Sequence, residues 1–190
     1  LFLCAVIKGV DEYQDLLRAS VASAGNDHRL GSNEAPPAII SIFLGDELTD
    51  ILNAIENGVK YGNKEVMKIK IGVHTLPEFQ KDNTDRNRTS PFAFTGNKFE
   101  FRMVGSSLSP ACPNIMLNTI VAEELCKFAD ILENCDNFND TLNKLIVKTI
   151  KDHKRIIFNG NSYSDEWTKE AKKRRLHNLE TSADAIPQLI

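Results

Sequence analysis

The sequence has no stretch approaching the ~18 consecutive apolar residues of a membrane span. The apolar run Leu1–Ile7 is short and has no basic segment before it, so it reads neither as a span nor as a secretory leader. Basic excess is also missing: 23 Lys and Arg stand against 26 Asp and Glu, a net charge of −3. A chain that must neutralise phosphates along a duplex normally carries the opposite balance, so no nucleic-acid partner is expected. Cysteines are few. Cys4, Cys112, Cys126 and Cys135 form no Cys-x-x-Cys pair, and no His lies at metal-finger spacing. They read as buried free thiols in a reducing, cytoplasmic setting. Also absent are a Gly-x-Ser-x-Gly nucleophile elbow, a Gly-x₄-Gly-Lys phosphate loop and a Gly-x-Gly-x-x-Gly dinucleotide turn.

What is present is ordinary globular material. Of 190 residues, 42% are hydrophobic and 26% charged, a balance that lets a chain of this length bury roughly 70% of its unfolded surface. One domain is the simplest expectation. The first residue is Leu1, inside an apolar run, and the last is Ile190, inside a helical pattern. Natural termini tend to be polar and exposed, so the expectation is a piece of a longer protein.

Apolar positions Leu3, Val6, Val10, Tyr13, Leu17 and Val21 recur at gaps of three or four, which predicts one amphipathic helix over 1–24. Gly25-Asn26-Asp27 reads as its stop. A polar loop to Pro37 follows, then a buried strand over 38–44, then a helix capped by Asp46 and closed by Gly58. Alternation from Met67 to Val73 predicts a half-buried strand. A long polar loop spans 76–90. Phe92–Phe94 and Phe99–Val104 flank Thr95-Gly96-Asn97-Lys98 and read as a β-hairpin. Helices are expected over 113–133 and 138–157. Another starts at Ser164, which has Asp165 and Glu166 behind it in the manner of an N-cap. The cluster Lys172-Lys173-Arg174-Arg175 reads as a solvated helix face. The order of elements is α+β rather than a regular βαβ alternation.

Chemistry concentrates in the polar segments. Alternation along Phe99–Met103 puts Glu100 and Arg102 on one strand face, opposite the aromatic residues. A carboxylate beside a guanidinium suits an anionic substrate held near a metal; an incidental surface ion pair is the plainer reading. Arg86 and Arg88, with Thr89 and Ser90, make either a phosphate clamp or an ordinary polar turn. Arg29 and Glu34 lie in a second loop that Pro36-Pro37 stiffens. As a set, Arg29, Arg88, Arg102, Glu34 and Glu100 suit metal-assisted phosphoryl transfer to an anionic acceptor.

Two long strings carry a resemblance. Asn26-Asp27-His28-Arg29-Leu30-Gly31-Ser32-Asn33-Glu34-Ala35-Pro36-Pro37, running on to Gly45, resembles the signature of type III glutamine synthetase. So does Asp85-Arg86-Asn87-Arg88-Thr89-Ser90-Pro91-Phe92, running on to Arg102, and the tail around His153–Asn161 is similar to the same family. The resemblance implies synthesis of glutamine from glutamate, ammonia and ATP through a γ-glutamyl phosphate, with Mg2+ or Mn2+ as cofactor. It implies substrate-binding roles for Arg29 and Arg102, a proton-accepting role for Glu34, and phosphate contact by Arg88. It also implies nucleotide contact by Lys98 and metal ligation by Glu100. The Arg29-to-Glu34 spacing is one residue shorter than in the wider superfamily, and Ala93 stands where that superfamily often has an arginine. The implied fold is a fragment of a glutamine synthetase/guanido kinase-like catalytic domain, an antiparallel sheet with flanking helices. Residues 1–110 would hold the site and 111–190 a helical continuation. A large ring-shaped homo-oligomer in the cytoplasm is implied as well, with other metal ligands and an N-terminal domain upstream. Two alternatives share the resemblance: a ligase joining glutamate to another amine, and a catalytically dead homologue serving assembly or regulation.

Overall fold

A computed structural model describes residues 1–32, 35–61 and 90–189, together with the backbone of 68–69 and 79–80. The predicted first helix is interrupted. Helix α1 (Phe2–Glu12) is followed by α2 (Gln14–Ala19), with Tyr13 between them at φ −114° and ψ 35°. Gln14 turns its side-chain amide back onto the Asp11 carbonyl at 2.8 Å, a local bond that competes with straight continuation. The expected stop at Gly25-Asn26-Asp27 instead lies within a short helix, α3 (Ala24–Arg29). Ser23 caps α3 by accepting the Asn26 N–H.

The strand expected over 38–44 is buried throughout, yet only Ile42–Phe43 (β1) forms a ladder. Its neighbour in the sheet is β4 (Phe92–Phe94), three residues long. β1 pairs with β4 in parallel, Ile42 to Phe92 and Phe43 to Ala93. The hairpin forms as expected: β4 pairs antiparallel with β5 (Phe99–Phe101), and Ala93 lies opposite Glu100. The sheet β1-β4-β5 is therefore mixed rather than antiparallel. The Thr95 N–H closes the turn onto the Lys98 carbonyl at 2.9 Å, and Gly96 takes the positive φ of +93° that the turn requires. Phe92 stacks on Phe99 at 5.1 Å and meets Phe101 edge-on at 6.0 Å, so the aromatic face is the inner one.

Gly45, at φ +80°, occupies the cap position of α4 (Asp46–Glu56), and Asp46 begins the helix rather than capping it. β2 (Lys68–Ile69) and β3 (Phe79–Gln80) pair antiparallel; the rest of the strand expected over 67–73 and of the loop over 76–90 lies outside the described residues, apart from Ser90. The remainder is helical: α5 (Ala111–Glu133), α6 (Phe138–His153) running into a 3-10 turn at Lys154–Ile156, α7 (Asp165–Lys173) and α8 (Ser182–Ala185). None of the described helices is long and apolar enough to cross a membrane.

One apolar cluster joins these parts. Ile7, Val10 and Leu17 from the first helices meet Ile39, Ile42 and Phe92 from the sheet region and Ile120, Phe128, Ile150, Ile156 and Trp167 from the helical region. Buried charges are paired inside it. The fully buried Glu124 on α5 accepts from Lys8 and from Lys127, the latter at 2.8 Å. Burial pushes the Glu124 carboxyl up, but the two ammonium partners outweigh it and hold it below the usual range. Asp11, also buried, pairs with Arg155 at 2.8 Å and with His153 at 2.8 Å. The cysteine expectation holds only for Cys4, whose thiol burial pushes up; Cys112 and Cys126 are exposed on α5. Arg174, expected on a solvated face, lies over the Trp167 ring at 5.6 Å and donates to the Ile157 carbonyl at 2.8 Å.

Candidate active site

The functional side chains stand where α3 meets the end of the hairpin. Chain alternation turns Phe99, Phe101 and Met103 inward, leaving Glu100 and Arg102 on the other face. There the Arg102 guanidinium donates to the Glu100 carboxylate through Nη2 at 3.0 Å and Nε at 3.3 Å. Lys98 approaches the same carboxylate at 3.2 Å from an exposed position in the turn. Hydrogen bonds from Arg102 first, and from Lys98 second, hold the Glu100 carboxyl below the usual carboxylate range. Glu100 is therefore an anion with cations on two sides. Ala93 faces it across the ladder and is fully buried, a small residue beneath a charged one.

Arg29 arrives from a distant part of the chain. It is the last residue of α3, and its Nη2 donates to the Met103 carbonyl at 2.8 Å, across 74 residues of sequence. This bond moors α3 to the strand that carries Glu100 and Arg102. Arg29, Glu100 and Arg102 consequently line one cavity of about 500 Å³, with Ala35, Ser90 and Tyr163 among its other walls. Two guanidiniums and one carboxylate in the lining leave the recess with a net positive charge that suits an anion.

Of the six residues expected from sequence, three share this cavity. Lys98 touches Glu100 but does not line the cavity. Glu34 and Arg88 lie outside the described residues, each next to a segment that does line it: Ala35 follows Glu34, and Ser90 comes two residues after Arg88. The described residues contain no cluster of three His, Cys, Asp or Glu fit to hold a metal ion. A divalent cation takes about six oxygen ligands, so Glu100 is at most one of several.

Sequence reasoning missed Tyr163. It reaches the cavity from the helical region, more than 60 residues beyond Arg102 in the chain. Its loop is held by Asn159, whose amide oxygen accepts the Leu44 and Gly45 N–H groups at 3.0 and 3.1 Å and whose NH₂ donates to Thr49 at 2.8 Å. The Asn159-Gly160-Asn161 break was the available signal, but it marks only a turn and gives no hint of what the turn faces.

Known proteins match the chain along its length. A family model described as the glutamine synthetase C-terminal domain matches residues 141–190. The whole chain is 51% identical over 193 residues to a type-3 glutamine synthetase of Dictyostelium discoideum, of which it covers 26%. It is 49% identical over 195 residues to a glutamine synthetase of Butyrivibrio fibrisolvens, again along its full length and over 27% of that protein. With a glutamine synthetase of Bacteroides fragilis the identity is 45% over 94% of this chain and 25% of the relative. The chain spans about a quarter of the length of these relatives. Matching these relatives along its full length at about half identity, the chain belongs to the glutamine synthetase family.

Proposed function

We propose that these residues form one wall of an active site that ligates ammonia to the side-chain carboxylate of glutamate, using ATP. The convergence of Arg29, Glu100 and Arg102 on one cavity carries the reading, and the similarity to glutamine synthetases supports it. Glutamate's side-chain carboxylate is a poor electrophile. Its attack on the γ-phosphate of ATP breaks the bond to the β,γ-bridging oxygen, releases ADP and gives a γ-glutamyl phosphate with a good leaving group, which ammonia then displaces as phosphate. Arg29 and Arg102 hold glutamate, and Arg102 also offsets charge on the transferring phosphoryl oxygens. Arg88 contacts the same phosphate, Lys98 contacts nucleotide, and Glu34 takes the proton from ammonium.

Mg2+ or Mn2+ is the proposed cofactor, and bound metal would neutralise phosphate charge. Glu100 would supply one carboxylate to it, its carboxyl held below the usual carboxylate range by Arg102 and Lys98. The described residues do not make a metal site by themselves, so the other ligands belong to parts of the full-length protein outside them. The whole protein is proposed to be a cytoplasmic, ring-shaped homo-oligomer with a glutamine synthetase/guanido kinase-like catalytic domain, of which residues 1–110 bear the site and 111–190 continue it.

The test is phosphate release by the full-length protein with ATP and glutamate, offering ammonia or a panel of amines. Ammonia-dependent release is expected, falling about 10²–10³-fold in Arg102→Ala. Release with an amine alone would move the protein to another ligase class. Release with neither would indicate a dead homologue.

A further inference from the structure

We infer that Asn26 is a positioning residue that aims Arg29 at the substrate, a role that rests on Arg29 holding the glutamate carboxylate. Asn26 is 2% exposed, and each polar atom of its side chain is engaged. Nδ2 donates to the Val21 carbonyl at 2.8 Å and to the Met103 carbonyl at 2.9 Å. Oδ1 accepts from Arg29 Nε at 2.9 Å. These partners fix the amide's orientation, because a flipped amide would set an NH₂ against the guanidinium and an oxygen against two carbonyls.

The consequence lies in which edge of the guanidinium is occupied. Nε and Nη2 form its side edge, and that edge is clamped between Asn26 Oδ1 and the Met103 carbonyl. The end edge, Nη1 with the second hydrogen of Nη2, is what remains for an anion in the cavity that Arg29 lines. Asn26 thus selects end-on binding of a carboxylate and removes the rotamer freedom that a long side chain would otherwise lose on binding substrate. Gly105 completes the arrangement: a Cβ there would stand 3.3 Å from Asn26 Oδ1, so the residue must be small for the amide to keep its place.

The experiment uses the full-length enzyme. Asn26→Ala is expected to raise the glutamate KM about 10-fold or more, as for loss of a hydrogen bond to a charged group, with the ATP KM unchanged. Gly105→Ala, which crowds the amide without deleting it, is expected to shift the glutamate KM the same way but less. Asn26→Asp keeps the acceptor for Arg29 and loses both donors, so an intermediate effect is expected; with Gly105→Ala it carries the test if Asn26→Ala does not accumulate as folded protein. The double variant with Arg29→Ala decides the matter. If Asn26 acts through Arg29, the double variant matches Arg29→Ala alone. Multiplying effects, or an equal rise in the ATP KM, would overturn the inference. If Arg29→Ala itself leaves the glutamate KM unchanged, the substrate assignment of Arg29 fails instead. A crystal structure of Asn26→Ala or Asn26→Asp then judges positioning alone: a displaced guanidinium supports it and an unmoved one refutes it.

Discussion

Glu100 is the residue whose charge state the structure constrains most directly at the cavity. Its carboxyl is half-exposed, and what lowers its pKa is the Arg102 fork and, behind it, Lys98. Replacing Arg102 with Met should let the Glu100 titration move back up toward the ordinary carboxylate range, read by ¹³C carboxyl NMR. An unchanged midpoint would mean that the pair is not formed in solution. Since its pKa is lowered on folding, any contribution of Glu100 to stability is present above the ordinary carboxylate range. It is lost only as pH falls through the lower folded value. Lys98 is mainly solvated, and exposed pairs contribute little.

At the scale of elements, α7 and its approach offer two measurable handles. Ser164 accepts the Trp167 N–H at 3.3 Å, so Ser164→Ala should cost about 1 kcal/mol in chemical denaturation. Gly160 leaves no room for a side chain, because a Cβ would meet the Phe158 ring at 2.5 Å. That ring stacks on Trp167 with centroids 3.7 Å apart. Gly160→Ala should therefore cost about 1–3 kcal/mol by disrupting the stack, and reduced thermal stability would show it. Both elements were legible in the sequence: the Ser164 cap from side-chain chemistry, and the hairpin from a period of two around a glycine turn. What escaped was set by distant partners. The break at Tyr13 has no proline or glycine to announce it. That β1 is limited to two residues and pairs in parallel with β4 is not written in any local pattern. Asn26 looked like a helix stop because Asn and Gly favour turns, yet its amide finds partners 77 residues away that no local pattern reveals. Arg29, Glu100 and Arg102 were legible as residues, whereas Tyr163 required the fold.

For the molecule as a whole, the helical tail is tied back to the site by a buried charge. The Arg18 side chain is 2% exposed, and it donates to Asp27 at 2.6 Å and to the carbonyls of Leu179 and Glu180 at 2.7 and 3.1 Å. Asp27 accepts in addition the Ser182 N–H at 2.7 Å, at the start of α8. Burial would raise the Asp27 carboxyl, but the bonds from Ser182 and Arg18 outweigh it and hold it low. Asp27→Ala should cost about 3–5 kcal/mol by stranding a buried guanidinium, more than Arg18→Met, which removes the charge that needs pairing. Because the folded pKa is depressed, this stabilisation should be complete above the ordinary carboxylate range and fade in more acid solution. Unfolding of wild type and Asp27→Asn across pH would show the gap closing on acidification. These 190 residues expressed alone should show no ATP- and glutamate-dependent incorporation of ammonia, since on the proposed reading Glu100 would be one of several metal ligands and the described residues hold no cluster of three.

The Met103 carbonyl joins the amide of Asn26 and the guanidinium of Arg29 to the hairpin across more than 70 residues. Closing a loop of that length costs roughly 4 kcal/mol of chain entropy before any contact across it forms. Secondary structure can form locally and early, but the recess cannot, because two of its walls meet only when that loop is shut. Anion affinity at the recess should therefore appear among the last events of refolding, which makes ligand binding a sharper reporter of native structure than helix content.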